Sequence, residues 1–545
     1  MTSSPPSVLI VGAGPSGLVA ALTLLQNGIS VRIIEKESKQ RVGQRGSGIQ
    51  PRSLELFEHL GVLKDMQAQG SRPLPMRKYK PGSQKPFKSW AMGPWLEPVP
   101  DRPYRNGLTI GQNVSEAILR SHIEKYSCHV ELATRLQSFE QKSDHVVARL
   151  VKTIDDGQEV PETLSVQFLL GSDGARGVVR KMLGLTFVGR TCEEELIVTG
   201  DIHITGLDRE YWHFWGDAST ILVSLRPVLI KDDNTVFTFQ IFGKQVDRSK
   251  LLSDPKEVLN IFRTVTERTD LTYGDLIWLS DFRPNMRMVN KFGAGRVFVI
   301  GDAAHVHSPT GGQGLNSSIQ DAFNLSWKLA LVLNNHVSPP KSLSLLDSYS
   351  AERLPVIAEM LSQTTAILNQ TFQAEKDDIK PWTRGFVLKQ FGVNYRGSPI
   401  VLDERTTENV SGSPYSNDDG RICAGDRAPD APGLIDSSGN QIRLFDMFKS
   451  WLHTVLIFGD DLAPSVLQAL EQYPEKTIQA FCIGPKDTPS DADAVLEDRD
   501  GHAYTGYAVD RTRSTVVVVR PDGMIGGIAF GVEGTERYFD GIFSI

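Results

Sequence analysis

Residues Ser7–Ser38 read SVLIVGAGPSGLVAALTLLQNGISVRIIEKES, and the architecture of the chain turns on how they are parsed. Val8–Val11 is a short apolar run with the length of a buried strand. Gly12-x-Gly14-x-x-Gly17 follows as a turn, Leu18 to Gln26 has the spacing of a helix, and Val31 to Ile34 is a second apolar run that ends in Glu35. Each glycine has a mechanical task. Gly12 allows the tight turn, Gly14 lets backbone N–H groups approach a pyrophosphate, and Gly17 lets the helix sit close to the strand. Glu35 then stands where it can accept hydrogen bonds from a ribose hydroxyl pair. An ordinary glycine-rich turn leaves that acid unexplained, so a dinucleotide-binding βαβ unit within an α/β fold is expected.

Two further segments bear on the nucleotide. One is FLLGSDGARGVVRKMLGL (Phe168–Leu185), with Asp173 and Arg180; the other is VIGDAAHVHSPTGGQGLNSSIQDAFNLSWKLALVL (Val299–Leu333), with Asp302. No second GxGxxG stands between a strand and a helix, which disfavours separate FAD and NAD(P) Rossmann domains. His305 and His307 lie beside the second motif, but no third ligand accompanies them, so no metal site is expected.

In this order, the three motifs resemble the single-component FAD-dependent aromatic hydroxylases, the flavoprotein monooxygenases similar to para-hydroxybenzoate hydroxylase and phenol hydroxylase. The similarity runs from Val8 to about Arg353, where LLDSYSAERLPV also resembles the family. It implies a Rossmann-like FAD-binding domain interleaved with an antiparallel-sheet substrate domain over residues 1–375. Asp302 would bind the ribityl chain, whose hydroxyls can satisfy an acid at a buried strand end. Asp173 would support the pyrophosphate region and the approach of the nicotinamide cofactor, and Arg45 and Gln112 would contact FAD. The motif departs from the family at Gly177, where serine is usual. Pro309 to Gly314, including Gly312, would let the flavin ring lie on bare backbone. The helix starting near Leu315 and Asn316 would aim its N–H groups at the flavin edge that becomes negative on reduction. Gly43, Gly46 and Gly48 around Arg45 allow either an outward movement of the flavin or a plain surface turn.

The chemistry implied by the resemblance is hydroxylation of a phenolic ring with O2 and NADPH or NADH, through a flavin C4a-hydroperoxide, with oxidative decarboxylation of a hydroxybenzoate as a variant. Substrate should lie against a sheet built mainly from residues 73–110 and 185–283, where TILVSLRPVLI and TVFTFQIFG alternate as strands do. Tyr211 to Trp215 form an aromatic cluster that serves packing or substrate; Ser224, Arg226 and Arg283 could supply polar contacts. The family's active-site tyrosine falls at about Phe282 and its loop aspartate at about Ser47, so neither proton-handling group is retained. Another base, with His213 or a backbone-bound water as candidate, or a substrate that arrives ionised or differently placed, must replace them. The expected catalytic residues are thus His213 and Arg283, and the expected substrate contacts Ser47, Tyr211, Arg226 and Phe282.

Residues 376–420 read as a linker, with GSPYSNDDG (412–420) as exposed loop. Residues 421–545 alternate strand and helix, and GDRAP, WLHTVLIFG and VVVVRPDGMIG resemble the thioredoxin-like domain of the phenol hydroxylase branch. No Cys-x-x-Cys is present, so a structural or homodimer role is expected rather than redox chemistry.

The bulk properties fit an enzyme of this kind. Lys+Arg 58 against Asp+Glu 65 gives a net charge of −7 with both signs interspersed, which argues against a nucleic-acid or anionic-membrane surface. Four scattered cysteines, no basic N-terminal leader and no run of about 18 apolar residues point to a reducing, cytoplasmic setting without a membrane span. Two other readings remain open from sequence: a flavin oxidase or dehydrogenase, and a non-catalytic flavin-binding sensor.

Overall fold

The computed structural model describes residues 5–543 apart from 155, 192–196, 231–232, 283–284, 310, 374–382, 384, 407–411, 416–421, 460 and 486–490. Strand Val8–Val11 is fully buried and lies inside a six-stranded sheet. The order is Gly293–Ala294, Val297–Val299, Phe168–Gly171, Val8–Val11, Val31–Ile34 and Val130–Glu131, with every pair parallel except the first. Because Val297–Val299, Phe168–Gly171, Val8–Val11 and Val31–Ile34 run in the same direction, the residues that follow them emerge at one edge. Asp302, Asp173, the Gly12 turn and Glu35 therefore gather at the carboxyl ends of adjacent strands, where open α/β sheets bind ligands. Helix Pro15–Gln26 begins three residues earlier than expected, at a proline suited to the first helical turn. Its apolar residues on all sides are buried between this sheet and helix Gly314–Leu333.

The chain between Phe168–Gly171 and Val297–Val299 builds most of a seven-stranded sheet, in the order Thr272–Phe282, Ile197–Thr205, Val236–Phe242, Leu222–Pro227, Trp212–Gly216, Met76–Tyr79 and Pro86–Trp90. All neighbours are antiparallel except Trp212–Gly216 with Met76–Tyr79. Strand alternation sorts the side chains. Val198, Ile202, Trp215, Val223, Leu225, Phe237, Phe239 and Ile241 face one side and pack with Leu251, Val258 and Phe262 of helices Arg248–Ser253 and Pro255–Thr266. Ile197, Phe214, Leu222 and Phe242 face the other.

A second six-stranded sheet occupies the C-terminal part: Leu402–Asp403, Ile525–Ala529, Thr515–Val519, His453–Phe458, Ile478–Ile483 and Ala494–Leu496. His453–Phe458 runs parallel to Ile478–Ile483 across helix Ala463–Leu470 and antiparallel to Thr515–Val519, whose hairpin partner is Ile525–Ala529. This is the mixed α/β unit expected from sequence.

The expected linker is not a free tether in its described residues. Gln390, Tyr395 and Ile400 are buried, Leu402–Asp403 adds an edge strand to the C-terminal sheet, and Tyr415, inside the stretch expected to be exposed, is only 4% exposed. Polar composition concealed aromatic residues spaced widely enough to anchor the stretch. The C-terminal unit also shares an apolar core with the long helices Gly314–Leu333 and Pro339–Gln373, in which Trp327, Leu331 and Leu345 meet Val455, Ile457, Val518, Phe539 and Phe543.

Candidate functional site

The glycine turn is built as its sequence requires. Gly12 has φ +106°, and a Cβ there would stand 2.4 Å from the Ser172 carbonyl oxygen; one on Gly17 would stand 2.1 Å from the Gly12 carbonyl oxygen. A Cβ on Gly14 would meet nothing within 4 Å, so this glycine fronts open space. Glu35 closes one side of the turn: its Oε2 accepts from the Ala13 N–H at 3.1 Å and its Oε1 from the Glu37 N–H at 3.3 Å. A cradle of bare backbone with an acid at its rim fits the diphosphate and ribose of a dinucleotide.

Asp302 follows strand Val297–Val299. It is exposed to solvent, and desolvation by the surrounding protein pushes its carboxyl above the usual range. A buried acid behind it fixes the backbone. The Asp321 Oδ2 accepts from the Gly301 N–H at 3.1 Å and meets His305 Nε2 at 2.7 Å, while Arg353 Nε donates to Oδ1 at 2.7 Å. His305 is thus engaged by a carboxylate. His307 meets the Ser308 carbonyl oxygen at 2.5 Å, burial pushes it down to about 4, and its Nε2 lies 2.4 Å from where a Cβ on Gly314 would be. Gly314 is therefore required to seat His307 under the helix start. Among the described residues, no group of three or more His, Cys, Asp or Glu could hold a metal ion.

The other expected cofactor residues converge on the loop 43–48. Gln112 Oε1 accepts from the Gly46 N–H at 3.2 Å, and Leu315 Cβ is 4.0 Å from the position of a Cβ on Gly46. Asn316 Oδ1 accepts from the Gln50 N–H at 2.8 Å, and its Nδ2 donates to the Gly48 and Gly312 carbonyls at 2.9 and 2.8 Å. Asn316 therefore braces the loop against the helix start. Arg45 is exposed with φ 39°, and its guanidinium lies 5.6 Å from the Trp278 ring centroid. Pro309 and Gly312 lie in the turn that leads into the helix.

The Asp173 Oδ2 accepts from the Val178 and Val179 N–H groups at 2.6 and 3.0 Å, so it caps the short helix Val178–Met182, and its Oδ1 is buried with no partner among the described residues. Arg180 ties this loop to the Asp302 loop by donating to the Ala303 and Ala175 carbonyls at 2.7 and 2.6 Å.

The seven-stranded sheet turns its helix-free face toward the loop 43–48, and cross-strand register arranges that face in rows. The first row holds Trp278, Asp201, Thr238 and Arg226, with Trp212 beside Arg226 at 5.5 Å. The second holds Ser280, Thr199, Gln240, Ser224 and Phe214; the third holds Phe282, Ile197, Phe242 and Leu222. Polarity falls from the first row to the third. The first row grips the loop: Arg226 Nη2 donates to Ser47 Oγ at 2.5 Å, Asp201 Oδ2 accepts from the Gln44 N–H at 3.2 Å, and Gly43 lies so close to Trp278 that a Cβ would be 2.2 Å from its Nε1. Burial lowers Arg226 to about 10 and raises Asp201. Arg226 Nε and Ser224 Oγ are buried with no partner among the described residues.

His213 and Tyr211 are not brought to this face. Alternation turns His213 to the helix-covered side, where its Nδ1 meets the Tyr79 hydroxyl at 3.0 Å and its Nε2 the Asp208 carbonyl at 2.7 Å. Burial holds it down to about 4. With both nitrogens engaged it is a packing residue, which corrects the expectation of a base. Tyr211 stacks under Arg77, 3.2 Å from its guanidinium carbon. Phe282 ends the apolar row, Ser47 and Arg226 meet as described, and Arg283 lies outside the described residues. Asp201, Trp278 and Asp321 were not singled out from sequence. Asp201 could have been found as the acid within the apolar strand Ile197–Thr205.

Comparisons with known proteins agree with this geometry. Residues 6–364 match the family described as "FAD binding domain", and residues 449–544 match "Phenol hydroxylase, C-terminal dimerisation domain". A flavin-dependent monooxygenase of Mycobacteroides abscessus is 33% identical over 535 residues, 95% of this chain and 96% of that protein. Pentachlorophenol 4-monooxygenase of Sphingobium chlorophenolicum is 30% identical over 485 residues, 84% of this chain and 80% of that protein. Among solved structures, aklavinone-11 hydroxylase with FAD and aklavinone superposes with a TM-score of 0.80 at 23% identity, over 99% of this chain and 100% of that one. The flavin-dependent monooxygenase PieE, with FAD and substrate, gives 0.80 at 20% over the same shares. At these identities, the structural likenesses establish the fold.

Proposed function

The chain belongs to the FAD-dependent aromatic monooxygenases, and from that premise we propose that it hydroxylates a phenolic ring with NADPH or NADH as electron donor. One oxygen atom of O2 enters the ring and the other leaves as water: Ar–H + O2 + NAD(P)H + H+ gives Ar–OH + NAD(P)+ + H2O. FAD, when bound, supplies the passage of electrons from the pyridine nucleotide to O2 and the transfer of an electrophilic oxygen.

The chain's own residues do the rest. Gly12, Gly14 and Gly17 with Glu35 would hold the diphosphate and ribose, and Asp302 would take the ribityl hydroxyls. Arg45, Gln112, Pro309, Gly312, Gly314 and Leu315 would surround the flavin ring, with Asn316 bracing the loop 43–48. Asp173 keeps that edge in shape by capping. The observation that carries this reading is the gathering of the four strand-end motifs at one edge of the cofactor sheet, together with a loop 43–48 that Asn316 holds from the helix start and the first row of the antiparallel sheet grips.

Substrate lies along the rows, with its acidic oxygen toward Arg226 and Ser224 and its apolar body toward Phe242 and Phe282. A buried guanidinium with an uncommitted N–H favours the ionised phenol, so the substrate can react as phenolate without a histidine base. The relative that acts on pentachlorophenol takes a phenol of that kind. A C-terminal unit matching a dimerisation family supports a homodimer. The buried thiols of Cys128 and Cys423 support a reducing, cytoplasmic setting, and among the described residues no helix is long and apolar enough to cross a membrane.

The test is anaerobic reduction of the FAD-loaded protein by NADPH or NADH with and without a panel of phenols and hydroxybenzoates, followed by turnover under 18O2. One 18O atom in the product supports hydroxylation. Bleaching by substrate alone would replace it with an oxidase, and no bleaching under any condition with a sensor.

A further inference from the structure

Glu352 and Arg353 are consecutive on helix Pro339–Gln373 but face different partners, and both are fully buried. Glu352 faces the C-terminal unit. Arg520 donates to its Oε1 and Oε2 at 2.7 and 3.0 Å, Lys328 Nζ to Oε2 at 2.8 Å, and Ser398 Oγ to Oε1 at 2.6 Å. Arg520 also holds Asp522, so the cluster balances two cations, Lys328 and Arg520, against two anions, Glu352 and Asp522. Arg353 faces the cofactor side: its Nε donates to Asp321, and its Nη1 donates to the Tyr395 hydroxyl oxygen at 3.1 Å. Asp321 in turn holds the Gly301 N–H and His305, on either side of Asp302.

The same C-terminal turn reaches the site by a second route. The Asp522 and Gly523 carbonyls each accept from Arg52 Nη2 at 3.1 Å. Arg52 lies on helix Pro51–His59, directly after the loop 43–50 that Asn316 braces. Buried ion pairs add little net stability compared with apolar packing; their better-attested use is to specify one arrangement. Here every residue of the cluster has its charge matched, and both routes end on backbone that lines the cofactor cleft.

We propose that the Arg520–Gly523 turn of the C-terminal unit positions the Asp302 loop and the loop 43–50, so that this unit sets the FAD site as well as serving any interface between copies. Arg520, Glu352, Arg353 and Asp321 are positioning residues in this relay. The proposal rests on the reading that Asp302 holds the ribityl chain.

Full-length Arg520→Met, Arg520→Lys, Tyr395→Phe and Asp302→Ala proteins would be stripped of FAD and titrated with it by flavin fluorescence. The midpoint potential of the bound flavin and the oligomeric state would be measured alongside. Arg520→Met should weaken FAD binding by about 5-fold or more, the lower end of usual coupling between sites, and shift the potential while the oligomeric state is unchanged. Arg520→Lys should restore most of both, and Tyr395→Phe should weaken binding by about 2- to 5-fold. Folded Arg520→Met and Tyr395→Phe proteins with wild-type FAD affinity and potential would overturn the relay. Should Arg520→Met fail to fold, unchanged affinity in Tyr395→Phe overturns it alone. Unchanged FAD binding in Asp302→Ala overturns the site reading itself, which separates the two failures.

Discussion

The carboxylate of Asp173 occupies the space that a side chain at Gly177 would need: its Oδ1 lies 2.1 Å from the position of a Cβ there. Gly177→Ala should expel the carboxylate and leave the Val178 and Val179 N–H groups uncapped, at a cost of about 1–2 kcal/mol. Gly177→Ser places a hydroxyl at the N-cap and should recover most of that loss, because serine caps in its own right. Thermal unfolding of the two variants compares them directly; equal losses would count against the capping role.

Gly12 and Gly14 should fail in different ways. Gly12→Ala drives a Cβ into the Ser172 backbone at a left-handed φ and should destabilise the fold with or without cofactor. Gly14→Val adds bulk to open space, so the apoprotein should melt normally while FAD binding is lost. Calorimetry with and without FAD checks both.

Arg226→Met should raise KM for phenols that ionise only weakly at the assay pH by about 10-fold or more, since the cation that favours phenolate is gone. The pH–rate profile should move toward alkaline pH, where the substrate ionises unaided. A profile that stays in place would show that ionisation is assisted elsewhere.

Acid should loosen the junction between the two halves of the chain. His59 packs against Phe445 and Phe448, His453 against Trp327, Tyr538, Phe539 and Phe543, and burial lowers both histidines to about 3. Between pH 6.5 and 3 the unfolded chain binds the protons that the folded one refuses. Stability is therefore full above pH 6.5 and falls as pH drops, by up to about 1.4 kcal/mol per unit for each histidine. Asp430, raised to about 6 by burial, acts in the opposite sense between pH 6 and 3.8 and offsets part of the loss. Denaturant unfolding at pH 7, 6 and 5 should show the decline, and His453→Gln should flatten it.

The cofactor half was legible because its chemistry needs short-range patterns: glycines at fixed spacing and an acid at each strand end announce themselves locally. The substrate half was legible as alternation but not as a site. Parity alone decides that Arg226 and Asp201 share the open face while His213 turns away, and parity requires the register between strands far apart in sequence. Asp321 sat inside a quoted motif without standing out, since its partner Arg353 lies one helix further on. Within 376–420 the turn-forming composition gave no sign that Gln390, Tyr395, Ile400 and Tyr415 are buried.

Five of the seven strands of the antiparallel sheet are spliced between two neighbours of the cofactor sheet, Phe168–Gly171 and Val297–Val299. During synthesis, the parallel sheet stays open on that side until the intervening chain has left the ribosome. Asp302 arrives later still, with the helix to Leu333 behind it. A chain cut short within the intervening segment therefore lacks Val297–Val299 and Asp302 as well, and carries the Gly12 turn in a sheet left open beyond Phe168–Gly171.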